Sequence, residues 1–384
     1  MKKYLLLLLI CLVYSQDIRF IDEVFDEVNV IEDVVYGNAP DLPFIFITEN
    51  NTIDIDLHMD IYEPVGDTLN NRPVIIFAHS GAFFSGSKEA DDIVLLSQAA
   101  AKRGYTAIAM EYRLGLNILS ASSGERAVYR GVQDGSAVIR YLREFHTSLN
   151  IDPNHIFFWG SSAGSFIGLH LSYVEDSERP ESTFEGTFTP DLGCIDCEGN
   201  NYSHLSRPNA VIATWGAIGN LDYIDEYENV PTALFHGTSD IVVPYSQGYP
   251  FTLNITLPQV YGSSKISEKM MDLGIDHILT LEDGEPHEYY GTLNGNFILG
   301  SEPNEYWDSI LNSAFNFLYT YLNFQGDVND DGSINIQDIV IVLNYIFGSE
   351  IPTADQFELS DMNNDGMLNI LDVILIVNQI ITQE

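Results

Sequence analysis

Basic residues are scarce in this chain: 16 Lys and Arg stand against 56 Asp and Glu in 384 residues, a formal net charge of −40. Phosphate recognition needs a Lys/Arg surplus, so this balance argues against nucleic acid and anionic membrane surfaces as partners. The acid excess suits solubility, including in a salty medium where screening limits self-repulsion. Long apolar runs are also lacking. The run Leu5–Val13 is nine residues, well short of the roughly 20 needed for a bilayer span. It follows Lys2-Lys3 and precedes the small Ser15, which reads as a secretory signal peptide over residues 1–15, cleaved before Gln16. The mature protein is therefore expected to be secreted, free or associated with a cell surface. Cys11 follows Leu9-Ile10 rather than a small residue, which argues against a lipid-anchored cysteine. Only Cys194 and Cys197 remain after export. A redox motif needs a thioredoxin-like unit and a zinc site needs more ligands, so a loop disulfide is expected of this pair.

What the chain does have is a strand–helix alternation. The stretch Asp17–Asn50 is acidic with alternating Val and Ile, and reads as edge strands or a hairpin. Thr52–Pro64 alternates strictly, predicting a half-buried strand. Pro73–Ala78 is a continuous apolar run of the kind buried on both faces of a sheet. A helix is predicted over Asp91–Lys102, a strand over Thr106–Tyr112, an amphipathic helix over Arg126–Phe145 and a strand over Ile156–Trp159. The polar stretch Glu175–Arg207 reads as an insertion over the site. Strands at Ala210–Trp215, Thr232–His236 and His277–Leu281 and a helix at Asn304–Leu322 complete the pattern. Such alternation predicts a doubly wound, mostly parallel α/β sheet over residues 16–324, with residues 326–384 as a separate unit.

The apolar strand ending at Trp159 runs into Gly160-Ser161-Ser162-Ala163-Gly164 and then a helix-like segment. A strand-to-helix turn this sharp strains its central residue and presents the Ser162 hydroxyl at the carboxyl edge of the sheet. A serine nucleophile needs a base, and the base needs an orienting acid. Asp240 directly follows the buried strand that ends in His236-Gly237, and His287 follows the last strand. Ser, Asp, His is the chain order this architecture uses. Asp222 and Asp225 are rival acids in a polar stretch after an earlier strand. Backbone donors for a developing oxyanion are expected from Ala163 and from the loop His79–Gly86, with Gly81 and Ala82 best placed. His79 and His236 read as loop braces, Arg113 and Asp134 as an ion pair tying strand to helix, and His277 as a residue at the start of its strand. Phe83, Phe84, Trp215 and Tyr289 are candidates for an aromatic acyl pocket. His58, His146, His155, His170 and His204 carry no visible assignment.

Together His79-Ser80-Gly81-Ala82-Phe83, Glu111-Tyr112-Arg113-Leu114-Gly115, the serine elbow and His236-Gly237-Thr238-Ser239-Asp240 resemble the signature set of α/β-hydrolase carboxylesterases. The similarity is to secreted feruloyl/acetyl-xylan-type esterases and to the hormone-sensitive-lipase-like branch, over Val28–Leu322. It implies Ser162 as nucleophile, His287 as base, Asp240 as orienting acid and Gly81, Ala82 and Ala163 as oxyanion donors. Ser80 departs from the glycine usual in that loop motif, and is accommodated only if its backbone angles are ordinary.

The C-terminus carries a repeat. Asp327, Asn329, Asp331, Ser333, Asn335 and Asp338 occupy positions 1, 3, 5, 7, 9 and 12 of a loop with Gly332 at position 6. Asp361, Asn363, Asp365, Met367, Asn369 and Asp372 recur in the same places around Gly366. Side-chain oxygens at this spacing, a backbone carbonyl at position 7 and a glycine at the sharp turn suit a hard Ca²⁺ ion, giving two structural sites. Each loop runs into an apolar helix. The pair resembles a type I dockerin, which implies a small all-α, calcium-dependent module and a cohesin partner. Positions 10 and 11 are Ile336-Gln337 and Ile370-Leu371, where that family often has Ser or Thr, so another cell-surface or intramolecular docking role is the alternative. No cofactor is expected for catalysis. The expected function is a secreted serine carboxylic-ester hydrolase acting on carbohydrate-linked esters, feruloyl or acetyl. The alternatives are a polyester hydrolase with the same triad, a prolyl-oligopeptidase-like peptidase, disfavoured by the elbow sequence, and a non-catalytic adhesion or scaffold protein.

Overall fold

The structure is a computed structural model and describes residues 18–382 apart from 43–48, 228, 252–254, 323–324, 330–333 and 364. The expected signal peptide and Cys11 lie outside the described residues. An eight-stranded sheet is built from β1 (Val28–Asp41), β2 (Ile53–Pro64), β3 (Arg72–Ala78), β4 (Thr106–Met110), β5 (Ile151–Ser161), β6 (Ala210–Thr214), β7 (Thr232–Gly237) and β8 (His277–Glu282). Its order is β1-β2-β4-β3-β5-β6-β7-β8. β2 runs antiparallel to both β1 and β4, and the remaining pairs are parallel. The early valine-rich stretch is thus one edge strand, hairpin-paired with β2. β2 alternates only weakly: its second half, paired with β4, is buried on both faces, with Met59 and Ile61 in one core and Tyr62 in the other.

The helices α1 (Asp91–Lys102), α2 (Ala121–Glu144), α3 (Ala163–Tyr173), α4 (Ser263–Leu273) and α5 (Tyr306–Tyr319) cover the sheet. Alternate residues of β3 and β5 feed two cores, as the period of two requires. Ile76, Ala78 and Phe158 pack under α2 and α3, while Ile75, Phe77, Phe157 and Trp159 pack under α1 and α5. α2 starts five residues before the expected Arg126, because the Ser120 side chain accepts the N–H of Ser123 and caps it there. α4 was not anticipated from the sequence. Among the described residues no helix is long and apolar enough to cross a membrane.

The expected Arg113–Asp134 pair forms, with guanidinium nitrogens at 2.8 and 2.9 Å from one carboxylate oxygen and both side chains buried. The Glu175–Arg207 segment contains the Cys194–Cys197 disulfide. It lies mainly along α2 rather than over Ser162. Arg126 donates to the carbonyls of Ser182 and Pro190, both at 2.8 Å, and Arg140 donates to those of Glu198 (2.8 Å) and Asn200 (2.6 Å). Loop carbonyls that would otherwise stay unpaired are satisfied by these buried guanidiniums.

After α5 come α6 (Ile336–Ile346), α7 (Ala354–Ser360) and α8 (Ile370–Thr382). Among the described residues their shared buried core is Val328, Val342, Val373 and Ile376. The Gly326 N–H donates to the Leu359 carbonyl at 2.8 Å, which ties that glycine to the C-terminal unit.

Candidate active site

β5 delivers Ser162 in a conformation with φ 52° and ψ −109°, a region that costs an L-residue energy and that the surroundings must enforce. Two glycines do so. A Cβ on Gly160 would lie 2.2 Å from the backbone of Gly164, and one on Gly164 would lie 2.1 Å from the Ala78 carbonyl oxygen. The elbow is thereby pressed against the end of β3. Its own hydrogen bond, Ser162 N–H to the Thr214 carbonyl at 3.0 Å, fixes the other side.

The loops after β7 and β8 bring Asp240 and His287 to this serine. His287 Nε2 lies 2.9 Å from Ser162 Oγ, and His287 Nδ1 lies 2.6 Å from Asp240 Oδ2. A carboxylate can only accept, so Nδ1 carries the proton and Nε2 is left to accept from the serine hydroxyl. Asp240 Oδ1 accepts the N–H groups of Val242 (2.7 Å) and Val243 (2.9 Å). Burial pushes this carboxyl up, but the hydrogen bonds from His236 and His287 outweigh it and hold Asp240 well below the usual carboxylate range. Neither rival acid reaches the site: Asp222 is exposed, and Asp225 accepts the N–H of Tyr227.

Gly81, Ala82 and Phe83 have φ of 118°, 56° and 56°, three successive positive values. The loop is held from several sides. Gly81 O accepts the N–H groups of Phe84 and Ser85, Phe83 O accepts that of Gly115, and the Tyr112 hydroxyl donates to His79 O at 2.8 Å. His79 stacks on Tyr112 with ring centroids 4.1 Å apart, in keeping with a bracing role. Ser80 is not among the positive-φ residues, so its side chain meets no backbone conflict. Ala82, Ser162 and Ala163 line the same pocket. Ala163 opens α3, where a helix leaves its first N–H groups without intrahelical partners.

That pocket has a cavity volume of about 150 Å³, the size of a void that accepts a benzene ring. Its walls are apolar: Phe83, Leu116, Val128 and Val132 on one side and Phe166 and Val174 on another. Of the aromatic candidates only Phe83 lines it. Phe84 is exposed. Trp215 and Tyr289 are buried against each other, 5.1 Å apart, with the Trp215 edge toward His287 at 6.4 Å. Trp215 thus packs beside His287, with Tyr289 against Trp215. The insertion gives the wall only Pro180 and Ile195. A larger share comes from Val242, Val243, Pro250, Phe251 and Leu257–Val260, a segment the sequence did not single out. His170, unassigned from the sequence, is also a wall residue. Burial pushes its pKa down to about 4; one ring nitrogen lies 2.7 Å from the Phe166 carbonyl and the other accepts the Gly219 N–H at 3.1 Å. The imidazole is neutral there.

In the C-terminal unit, Asp331 and Ser333 lie outside the described residues. The other loop residues fit a calcium ion in their chemistry. Asp327, Asp338, Asp361 and Asp372 are buried, a poor place for carboxylates without a cation. Asp361 turns its oxygens inward to accept the N–H groups of Asp365 (3.2 Å) and Gly366 (2.8 Å). Asp338 accepts from Val328 and Asn335, and Asp372 Oδ2 from Asn369. Asp372 Oδ1 is buried with no hydrogen-bond partner, an acceptor oxygen suited to a metal ion. Among the described residues no three His, Cys, Asp or Glu converge as a metal cluster. The donor set is a mixture of Asp, Asn and carbonyl oxygens, which is a hard-cation set.

Residues 59–218 match the family model described as BD-FAE, and residues 325–381 match the Dockerin type I domain. Carboxylesterase 3B of Mus musculus is 31% identical over 122 residues, which is 31% of this chain and 21% of that protein. The para-nitrobenzyl esterase of Bacillus subtilis is 30% identical over 145 residues, 35% of this chain and 29% of that protein. The chain spans less than a third of the length of these curated relatives. Among solved structures, the apo form of Thermogutta terrifontis esterase 2 aligns with a TM-score of 0.50 at 21% identity, over 78% of this chain and 96% of that one. Sheet order and structural match agree on an α/β-hydrolase fold, followed by a dockerin type I domain.

Proposed function

We propose that the chain is a secreted serine carboxylic-ester hydrolase. The observation that carries this reading is the relay Ser162–His287–Asp240, closed at 2.9 and 2.6 Å beside an apolar pocket. The Ser162 hydroxyl attacks the ester carbonyl carbon while its proton passes to His287 Nε2. Asp240 stabilises the resulting imidazolium through Nδ1–H. Charge on the carbonyl oxygen is met by the N–H of Ala163 and by those of Gly81 and Ala82, each donor contributing about 3–4 kcal/mol to the barrier. Collapse expels the alcohol, which takes the proton from His287, and leaves an acyl group on Ser162. A water activated by the same imidazole then releases the acid.

The substrate class is carbohydrate-linked esters, feruloyl or acetyl. Support comes from the BD-FAE match, the ring-sized apolar pocket and the dockerin domain, a module in keeping with an enzyme held in an extracellular assembly. Calcium would be held by Asp327, Asn329, Asp331, Asn335 and Asp338 with the Ser333 carbonyl, and by Asp361, Asn363, Asp365, Asn369 and Asp372 with that of Met367. It would neutralise buried carboxylates and hold the loops. The docking face would present Ile336 and Ile370, both well exposed, to a cohesin.

Ser162→Ala is expected to abolish turnover of p-nitrophenyl acetate without changing the melting profile; retained turnover would refute the assignment. A panel of methyl ferulate, acetylated xylan, short p-nitrophenyl esters and a polyester film sorts the substrate class. Preference for the film would replace carbohydrate esters with polyesters.

A further inference from the structure

The relay does not end at Asp240. A second imidazole, that of His236, lies fully buried on the far side of the carboxylate, with Nε2 at 3.2 Å from Asp240 Oδ2 and 3.1 Å from the Val243 carbonyl oxygen. Both of these partners can only accept, so Nε2 carries a proton. The other ring nitrogen, Nδ1, lies 2.8 Å from the hydroxyl of Ser263, the first residue of α4. With Nε2 protonated, Nδ1 is left to pair with the Ser263 hydroxyl. The hydroxyl thereby anchors the orientation of the His236 ring, whose Nε2–H is dictated by its two acceptors.

The consequence is a particular loading of the carboxylate. Oδ2 faces two imidazoles, that of His287 at 2.6 Å and that of His236 at 3.2 Å, whose one N–H is shared with the Val243 carbonyl, while Oδ1 receives the N–H groups of Val242 and Val243. Four donors arrive from three directions, and the Asp240 side chain is fully buried. Without His236 the carboxylate would keep both Oδ1 contacts but could swing about them, moving Oδ2 relative to His287. A loop brace would need only the contact to the Val243 carbonyl.

We propose that His236 is a positioning residue of the hydrolytic site: held by Ser263, it fixes the Asp240 oxygen that orients His287. This inference rests on the reading of Ser162–His287–Asp240 as a catalytic relay. His236 makes no contact with substrate and acts only through Asp240. A hydrogen bond to a charged group is worth about 1.5–3 kcal/mol, so its loss corresponds to about a 10- to 150-fold change in rate.

The test compares kcat, KM and the pH profile of the full chain, with calcium, for wild type, Ser162→Ala, His236→Gln, His236→Leu and Ser263→Ala on p-nitrophenyl acetate. His236→Leu is expected to lower kcat about 10- to 150-fold with KM changed by less than about threefold. It should also move the acid limb of the kcat/KM profile to higher pH, because a carboxylate with one donor fewer holds the His287 proton more strongly. His236→Gln retains an N–H near the position of Nε2 and is expected to recover most of the rate. Ser263→Ala, which leaves every group on Asp240 in place, is expected to lower kcat several-fold by loosening the orientation of the His236 ring, and it decides the matter if His236→Leu does not fold. Equal rates for the Leu and Gln variants with an unmoved acid limb, or a Ser263→Ala variant with wild-type kcat, would overturn the proposal. Absence of turnover in wild type, or turnover in Ser162→Ala, would instead sink the esterase reading beneath it.

Discussion

Gly164 and Ala78 approach so closely that a Cβ built on the glycine would lie 2.1 Å from the alanine's carbonyl oxygen. Ala78 ends the strand that leads into the loop holding Gly81 and Ala82, and Gly164 is the second residue of the helix behind Ser162. This contact sets the spacing between Ala163 and the Gly81–Ala82 loop, the two proposed sources of oxyanion donors. Gly164→Ala would force the strand end and the elbow apart. Overpacking of this kind costs about 1–3 kcal/mol, so melting should fall by several degrees and kcat more steeply than stability alone explains. A variant with unchanged kcat would show that the spacing is not critical.

Asp92 supplies a pH-dependent stability. It is fully buried, and burial first, then the charge of Glu288, push its carboxyl up to about 8, against the Tyr290 hydroxyl donated at 2.5 Å and the Ile93 N–H. Its unfolded value is the ordinary carboxylate one of about 4. Between these limits the folded chain holds a proton that the unfolded chain releases, so stability falls as pH rises through the window. Asp92→Asn cannot ionise, and its side chain can still accept from Tyr290. Its melting temperature relative to wild type should therefore climb from pH 5 to pH 8 and level off above. A constant difference across circular-dichroism melts at pH 5, 7 and 9 would contradict the assignment.

The pocket wall makes a prediction about size. Val128 on α2 faces the cavity beside Phe83 and Val132. Val128→Trp would fill much of about 150 Å³ without touching the relay. Removing room for a methylene or a ring is worth about 1–3 kcal/mol in discrimination. Hydrolysis of p-nitrophenyl benzoate should drop more than about tenfold while the acetate ester changes less than about threefold. Parallel losses on both esters would place the acyl group elsewhere.

The relay was legible because each member directly follows a buried strand, and strand order alone brings strand ends together. Ser162, Asp240 and His287 needed no long-range knowledge beyond that. The wall segment from Val242 to Val260 was not legible, since its residues gain meaning only when the chain folds back across α2. Nor were the roles of Arg126, Arg130 and Arg140. On a helical wheel they read as solvent-facing, yet all three are buried. Arg126 and Arg140 are covered by carbonyls of a polar strap whose course no local pattern encodes. Trp215 and Tyr289 show the converse error: aromatic residues just beyond strand ends at the site pack against each other and beside His287 rather than form the wall.

The C-terminal unit has too small a core to fold on apolar burial alone. Among the described residues the buried side chains Val328, Val342, Val373 and Ile376 are its center, and units of this size generally need a metal or disulfides. No cysteine lies in residues 325–384. Four buried aspartates face the loops instead, and without a cation their desolvation opposes folding. Chelation with EDTA should therefore remove a melting transition and the helical signal of α6 and α8, and added Ca²⁺ should restore both. Turnover of p-nitrophenyl acetate should stay within about twofold, because Ser162, His287 and Asp240 draw every hydrogen bond described above from residues before position 325. Loss of turnover together with the transition would mean that the two units fold as one.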